Sequence, residues 1–369
     1  MKDKLPIERD ILNWVRSGQV RIPSISVSID TKQGSANQRV GSKQEPDAIA
    51  TIRWRDGEER FVVECKARST PQEFQSAISN ANRYAKELQL RPLLLLPYLS
   101  ETQLQSLAEL EASGIDLCGN AIIVVPGKLF IMKTGEKNRF KDSYLIKDVY
   151  RGNSSLVARS LLVMTKSRSL ADLESFIASR GGKLTLTTIS KALRRLQDDL
   201  IIEKRKGAAV LLQPEELLQK MAESYKEPRV TQTLVGKSGL SLQTMAKKLA
   251  GANVQFAISG ASSIDRYGVM GREEMVTLYC ESLLRAVEAV GEVTETERFP
   301  DIELKETTDQ TLYFDLRSDK GVPYASPIQS FLELANGDKR EKDASRQVLR
   351  YILDELNNTM RVVEESDDA

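Results

Sequence analysis

Asp47, directly after Pro46, and Glu64-Cys65-Lys66, 17 positions further on, put two carboxylates and an ammonium group within a short stretch of chain. The run Arg60–Ala67 is β-rich, and residues i and i+2 of a strand share a face. Glu64 and Lys66 therefore project together while Cys65 points to the other side. Hydrolysis of a phosphodiester needs a deprotonated water and a sink for negative charge. Mg²⁺, or Mn²⁺, held by Asp47, Glu64 and the main-chain carbonyl of Cys65 supplies both, with Lys66 orienting the water or stabilising the developing charge. The 369-residue chain contains no histidine. Ser-His-Asp and Cys-His triads and histidine-bound zinc are thereby excluded, leaving carboxylate, lysine and hydroxyl chemistry. The plain alternative is that Asp47, Glu64 and Lys66 are exposed charges on a hairpin.

The elements that must position these groups are readable from periodicity. Ile7, Ile11, Leu12 and Val15 recur at helical spacing, with Gly18 as a stop. Ala48–Trp54 and Arg60–Ala67 are strands joined around Asp56-Gly57. Asp47 then arrives across the hairpin from Glu64. Pro71 opens a helix with Phe74, Ile78, Ala81, Ala85 and Leu88 as its apolar stripe. A buried strand at Leu93–Leu96, a helix at Glu101–Ala112 and strands at Ala121–Val125 and Leu129–Lys133 follow. Strands alternating with helices imply an α/β (α+β) domain with a central sheet.

This arrangement resembles the PD-(D/E)xK nuclease superfamily, the restriction-endonuclease-like fold, over roughly the first 135 residues. The resemblance is carried by Pro46-Asp47, Glu64-Cys65-Lys66 and the order helix, hairpin, helix. It implies Mg²⁺-dependent cleavage with Asp47 and Glu64 as metal ligands and Lys66 as catalytic lysine. Glu8 takes the place of the auxiliary acid on the first helix, and Gln75 that of the polar residue on the helix after the lysine. The bare pattern also occurs at Asp30-Thr31-Lys32 and Glu303-Leu304-Lys305. Asp116-Leu117-Cys118-Gly119-Asn120 resembles an Asp…Gly-Asn signature of prokaryotic regulators that join a nuclease-like module to a winged helix. Read locally, it is a strand and turn with Gly119-Asn120 supplying positive φ.

Leu156–Met164, Leu170–Ser179 and Thr187–Leu200 are helix candidates, followed by a hairpin over 201–212. Three helices and a hairpin match a winged helix-turn-helix. From Arg151 to Val210 there are 12 Lys and Arg against 5 Asp and Glu, in a chain whose net charge is only +1. In the third helix Ile189, Leu193, Leu196 and Leu200 face the core. Thr188, Ser190, Lys191, Arg194 and Arg195 are left for double-stranded DNA, with Lys204, Arg205 and Lys206 at the hairpin tip for phosphates or a minor groove. A basic face used to dock a protein is the competing expectation.

Strand candidates at Val254–Ser259, Met275–Tyr279, Asp301–Leu304 and Thr311–Leu316 mark a further α/β segment. Ala325–Leu334 with Gly337-Asp338-Lys339-Arg340-Glu341 resembles the end of AbiEi-type antitoxins, transcriptional regulators of toxin–antitoxin and abortive-infection systems. Ile258-Ser259-Gly260-Ala261-Ser262-Ser263 resembles a degenerate nucleotidyltransferase-like opening, but no Asp-x-Asp metal pair follows over Val269–Met275. Three widely spaced cysteines form neither a disulfide framework nor a zinc site and point to a reducing cytoplasm. The longest apolar run, Pro92–Leu99, is far short of the ~20 residues that span a bilayer, so no membrane partner is expected. The expected organisation is a PD-(D/E)xK-like domain over 1–148, a winged helix-turn-helix over 149–228 and an AbiEi-like, nucleotidyltransferase-like α/β domain over 229–369. The expected function is that of a DNA-binding, Mg²⁺-dependent endonuclease in prokaryotic defence or mobile-element biology, with a homodimer and a cognate toxin or defence protein as further partners. The alternative is a non-enzymatic transcriptional regulator, antitoxin-like, with a lapsed nuclease domain.

Overall fold

The structure, a computed structural model, describes residues 6–20, 22–30, 45–140, 148–205, 207–270, 275–291 and 293–367. The protein is mixed α/β and divides into two compact units, Met1–Tyr144 and Leu145–Ala369. Among the described residues, no helix is long and apolar enough to cross a membrane.

The first unit runs α1 (Glu8–Arg16), β1 (Ile25–Asp30), β2 (Ala48–Trp54), β3 (Gly57–Cys65), α2 (Pro71–Leu88), β4 (Arg91–Leu96), α3 (Glu101–Glu109), β5 (Ser113–Asp116), β6 (Ala121–Val125) and β7 (Leu129–Lys133). The strands form one sheet in sequence order. β3, β4 and β5 are parallel neighbours and the remaining pairs are antiparallel. Ile11 and Val15 of α1 cluster with Phe61, Val63, Leu93 and Leu95 on one face. Phe74, Ala81, Leu104 and Leu107 of α2 and α3 cluster with Leu94, Leu96 and Ile122 on the other. Covered on both faces, β4 is apolar from Leu93 to Leu96, as a parallel central strand must be. α2 starts where Thr70 accepts the Glu73 amide and Pro71 occupies the first turn, and it ends at Gln89 in the left-handed region.

The second unit begins with α4 (Ser155–Met164), β8 (Lys166–Ser167), α5 (Leu170–Ser179), α6 (Leu186–Asp198), β9 (Ile202–Arg205), β10 (Ala208–Leu211) and α7 (Pro214–Ser224). β8, β10 and β9 form a small antiparallel sheet. Then come β11 (Gln232–Lys237), α8 (Leu242–Gly251), β12 (Phe256–Ile258), a 3₁₀ helix at Gly260–Arg266, β13 (Val276–Cys280), α9 (Leu283–Val290), β14 (Thr294–Glu295), β15 (Ile302–Glu306), α10 (Gln310–Tyr313), β16 (Arg317–Asp319), β17 (Val322–Tyr324), α11 (Pro327–Ala335) and α12 (Lys339–Asp367). Their sheet has the order β14-β11-β15-β13-β12-β17-β16. Residues 149–228 and 229–369 share one hydrophobic core, in which Leu156, Leu161 and Leu196 join Phe331, Val348 and Ile352.

One expected strand takes another form. Thr311–Leu316, expected as a strand, opens as the short helix α10. Asp309 accepts hydrogen bonds from both the Thr311 amide and the Thr311 hydroxyl, and this cap draws the chain into a turn.

Candidate functional site

β2 and β3 build the acidic site through their register. Ala48 pairs with Val63, and the Asp47 amide donates to the Val63 carbonyl at 3.1 Å, so one step further sets Asp47 against Glu64. The odd-numbered neighbour Val63 belongs to the α1 side of the sheet, whereas Val62 packs on Tyr84 of α2. Glu64 shares the α2 face with Val62, as period-2 alternation requires. Lys66, just past the strand, stays in the sheet through its amide, which donates to the Leu95 carbonyl at 3.1 Å.

The side chains converge. The Lys66 ammonium donates to Glu64 Oε1 at 2.9 Å, and the Asn80 amide of α2 donates to the same oxygen at 3.0 Å. Glu64 is only 5% exposed, so these bonds are what permits a carboxylate in the interior. Asp47 Oδ2 accepts the Cys65 amide at 2.7 Å. The Cys65 thiol lies in the core and donates to the Glu8 carbonyl at 3.6 Å, which fixes the start of α1 beside the strand end.

Desolvation marks the site, and neighbouring acids add to it. Burial of its carboxyl against the strand end pushes Asp47 up to about 6, helped by the like charges of Glu64 and Glu8 and opposed by the Cys65 amide and Lys66. Asp47 is nevertheless an exposed residue, so solvent screens part of this shift. Glu8 is raised by desolvation first, then by Glu64 and Glu73, with Lys66 opposing. Desolvation pulls the Lys66 ammonium down, but its bond and attraction to Glu64 outweigh that and leave it raised. Burial pushes the Cys65 thiol up, and the thiol sits in the core, away from Glu64 across the strand.

Sequence reading missed Asn80 and Glu73. Gln75, chosen instead, is exposed. The signal was present, because Glu73, Ala77, Asn80 and Tyr84 sit at i, i+4, i+7 and i+11 along one side of α2, and Gln75 does not. Asp116 is a structural knot. It is fully buried, and its two oxygens accept from the amides of Leu99, Gly119 and Asn120 and from the Asn120 side chain, at 2.7–2.9 Å.

The donors at Asp47, Glu64 and the Cys65 carbonyl are all oxygen, the set a hard cation such as Mg²⁺ or Mn²⁺ takes. Among the described residues, no three acidic or thiol side chains stand close enough to form a ready cation cage. One or two carboxylates suffice for Mg²⁺, which retains several waters and uses substrate phosphate oxygens. Carboxyls raised by desolvation, and further by one another's charge, fit the same group, since added positive charge would favour their ionised forms.

In the second unit, Thr185 caps α6 and accepts the Thr188 amide, and the Thr188 hydroxyl bonds back to that of Thr185 at 3.0 Å. Ser190, Lys191 and Arg194 are exposed. Arg195 turns inward, where its guanidinium donates to the buried Asp199 at 2.9 Å. Asp199 also accepts from the Tyr150 hydroxyl at 2.6 Å. Lys204 on β9 stands close enough to Arg194 that, after burial, this like charge lowers it further, with Asp198 opposing. Arg205 pairs with Glu203 at 2.7 Å, and Lys206 lies outside the described residues. The outward cations brought together are therefore Arg194 and Lys204, flanked by Lys191 a turn earlier on α6.

No family model, curated protein or solved structure matches this chain. What it does must be read from the chemistry of its side chains.

Proposed function

We propose that the first unit is a metal-dependent phosphodiesterase of the PD-(D/E)xK type, acting on double-stranded DNA. One observation carries this reading. The cross-strand register opposes Asp47 to Glu64, while Lys66 reaches Glu64 from the next position on the same face. Exposed hairpin charges would not explain a glutamate 5% exposed and bonded by both a lysine and an asparagine.

Asp47, Glu64 and the Cys65 carbonyl would hold Mg²⁺ or Mn²⁺. Such a cation supplies, when bound, an acidified water and screening of the phosphate charge. Lys66 keeps its ammonium beside the carboxylates and can donate to a phosphate oxygen or to the attacking water. Asn80 anchors Glu64 from α2, so that Lys66 can turn to substrate without leaving a buried carboxylate bare. Glu8 serves as an auxiliary acid at the rim.

The second unit supports this role as a winged helix-turn-helix followed by an AbiEi-like, nucleotidyltransferase-like segment. α6 would enter the major groove with Ser190 and Lys191 near base edges, and Arg194 with Lys204 would bind phosphates. Incubation of duplex DNA with Mg²⁺ or Mn²⁺ tests the whole. Cleavage by the wild-type chain that is lost in both Glu64→Ala and Lys66→Ala supports the nuclease. DNA that is shifted but left intact would make the protein a non-enzymatic regulator instead.

A further inference from the structure

Arg159 of α4 is a charge without a counter-charge at hand. It is 2% exposed, yet among the described residues its hydrogen bonds go to neutral acceptors. Nε donates to Ser155 Oγ at 3.4 Å, Nη1 to the Thr311 carbonyl at 3.4 Å and Nη2 to Gln329 Oε1 at 2.8 Å. Among the described residues, no carboxylate lies within ion-pair reach. Asp309 and Glu333 act on it only from a distance, and burial pulls the guanidinium down to about 10. Glu333 is engaged elsewhere, accepting from Gln329 Nε2 at 2.5 Å and from Ser259 Oγ at 2.8 Å. Gln329 therefore stands between the cation and the anion and relays one to the other without bringing them together.

A guanidinium carries five N–H donors, and three are used here. Burying such a group without an ion-pair partner is costly, and the usual solution is a carboxylate. Here the side chain instead lines an open cleft of about 590 Å³, the size of a small-molecule site. The exposed cations Lys226 and Arg229 stand at its rim. The acids around it are largely committed. Asp148 pairs with Arg151 at 3.0 Å, and Asp309 caps α10. Glu227 is the remaining acid on the lining.

We infer that this cleft binds a small oxyanion, a phosphate or carboxylate group, seated on Arg159 and drawn in by Lys226 and Arg229. A planar fork of donors suits such a ligand, because it can take two oxygens at once. The cleft lies in the second unit between α4, the Tyr225–Arg229 connection and α10, and owes nothing to the proposed nuclease site.

Isothermal titration of the full chain tests the inference, with inorganic phosphate and acetate titrated separately at fixed ionic strength in sodium chloride. One saturable site per chain is expected for at least one of them, and the tighter anion distinguishes a phosphate ligand from a carboxylate. Arg159→Met should weaken binding at least about tenfold, the worth of one charge-assisted contact. Lys226→Gln with Arg229→Gln, both at exposed positions, should weaken it several-fold and decides the matter if the Arg159 variant does not fold. Absence of saturable binding by either anion overturns the site. So does unchanged affinity in a folded Arg159→Met, or in the rim variant where the former is lost to unfolding.

Discussion

Neutralising Asp47 should stabilise the metal-free protein while removing its proposed activity. The carboxyl is raised from 3.8 to about 6, so the folded state holds a proton more tightly than the unfolded chain. Its contribution is fully present below pH 3.8 and is lost as pH rises through about 6; at neutral pH the ionised group therefore works against folding. At about 1.4 kcal/mol per tenfold, the displacement sets a ceiling near 3 kcal/mol. Asp47 retains solvent contact, and screening brings the expected effect to about 1 kcal/mol. Asp47→Asn keeps an oxygen to accept the Cys65 amide, so the hydrogen bond survives while the charge goes. Urea unfolding of both proteins between pH 4 and 8, read by circular dichroism, should show the variant more stable by about 1 kcal/mol at pH 8. That gain should fade towards pH 4. A variant equal to or weaker than wild type at pH 8, or a difference independent of pH, would refute the desolvated, acid-lined setting of Asp47 on which this prediction depends.

Other outcomes separate structural from functional groups. Asp116→Ala removes a fully buried acceptor of four hydrogen bonds and should cost about 3–5 kcal/mol in urea unfolding, without a specific effect on DNA affinity. Gly114→Ala would bring a Cβ to 2.5 Å from Leu107 Cδ1 and 3.0 Å from Leu99 Cδ1. These flexible tips can shift, so a loss of about 1–2 kcal/mol in thermal melts is expected. Arg194→Ala with Lys204→Ala should leave stability unchanged, weaken duplex binding and lower the salt slope by about 1.8, at about 0.9 per phosphate contact. Arg195→Ala should behave oppositely, costing about 1–2 kcal/mol in unfolding because it bares Asp199, while the salt slope stays.

Elements with a strong local signature were legible. α2 is marked by Thr70, Pro71 and its apolar stripe, and the β2–β3 hairpin by two β-rich runs around Asp56-Gly57. β1 was not seen, although Ile25, Val27 and Ile29 alternate with serines. That alternation is the ordinary strand signal over six residues, and the strand pairs with β2. β11 escaped for a different reason, since Gln232–Lys237 has little apolar content and owes its state to β15. α10 was misread because Thr311 and Tyr313 favour strands and Phe314, just past the short helix, is extended, while the aspartate cap turns the chain at Gln310–Tyr313.

The site was legible to the degree that its geometry is local. Glu64 and Lys66 share a face by strand alternation alone, and Asp47 follows from hairpin register, so the sequence could name all three. Asn80 and Glu73 lie on a helix whose rotation against the sheet is set by packing, and the choice of Gln75 failed there. Charge counting failed in a related way. The excess of cations over Arg151–Val210 suggests a broad basic face. Yet Arg159 is buried, Arg180 pairs with Asp315, Arg195 with Asp199 and Arg205 with Glu203. Two of these pairs are local, Arg195 with Asp199 one helical turn on and Arg205 with Glu203 across two residues, while Arg180 reaches an aspartate remote in sequence, so a count of cations without their neighbouring acids overstates the free charge. The DNA contacts proposed for α6 and β9 therefore rest on few groups, Lys191, Arg194 and Lys204. Three such contacts give a salt slope near 2.7 rather than the steep dependence that twelve cations would imply.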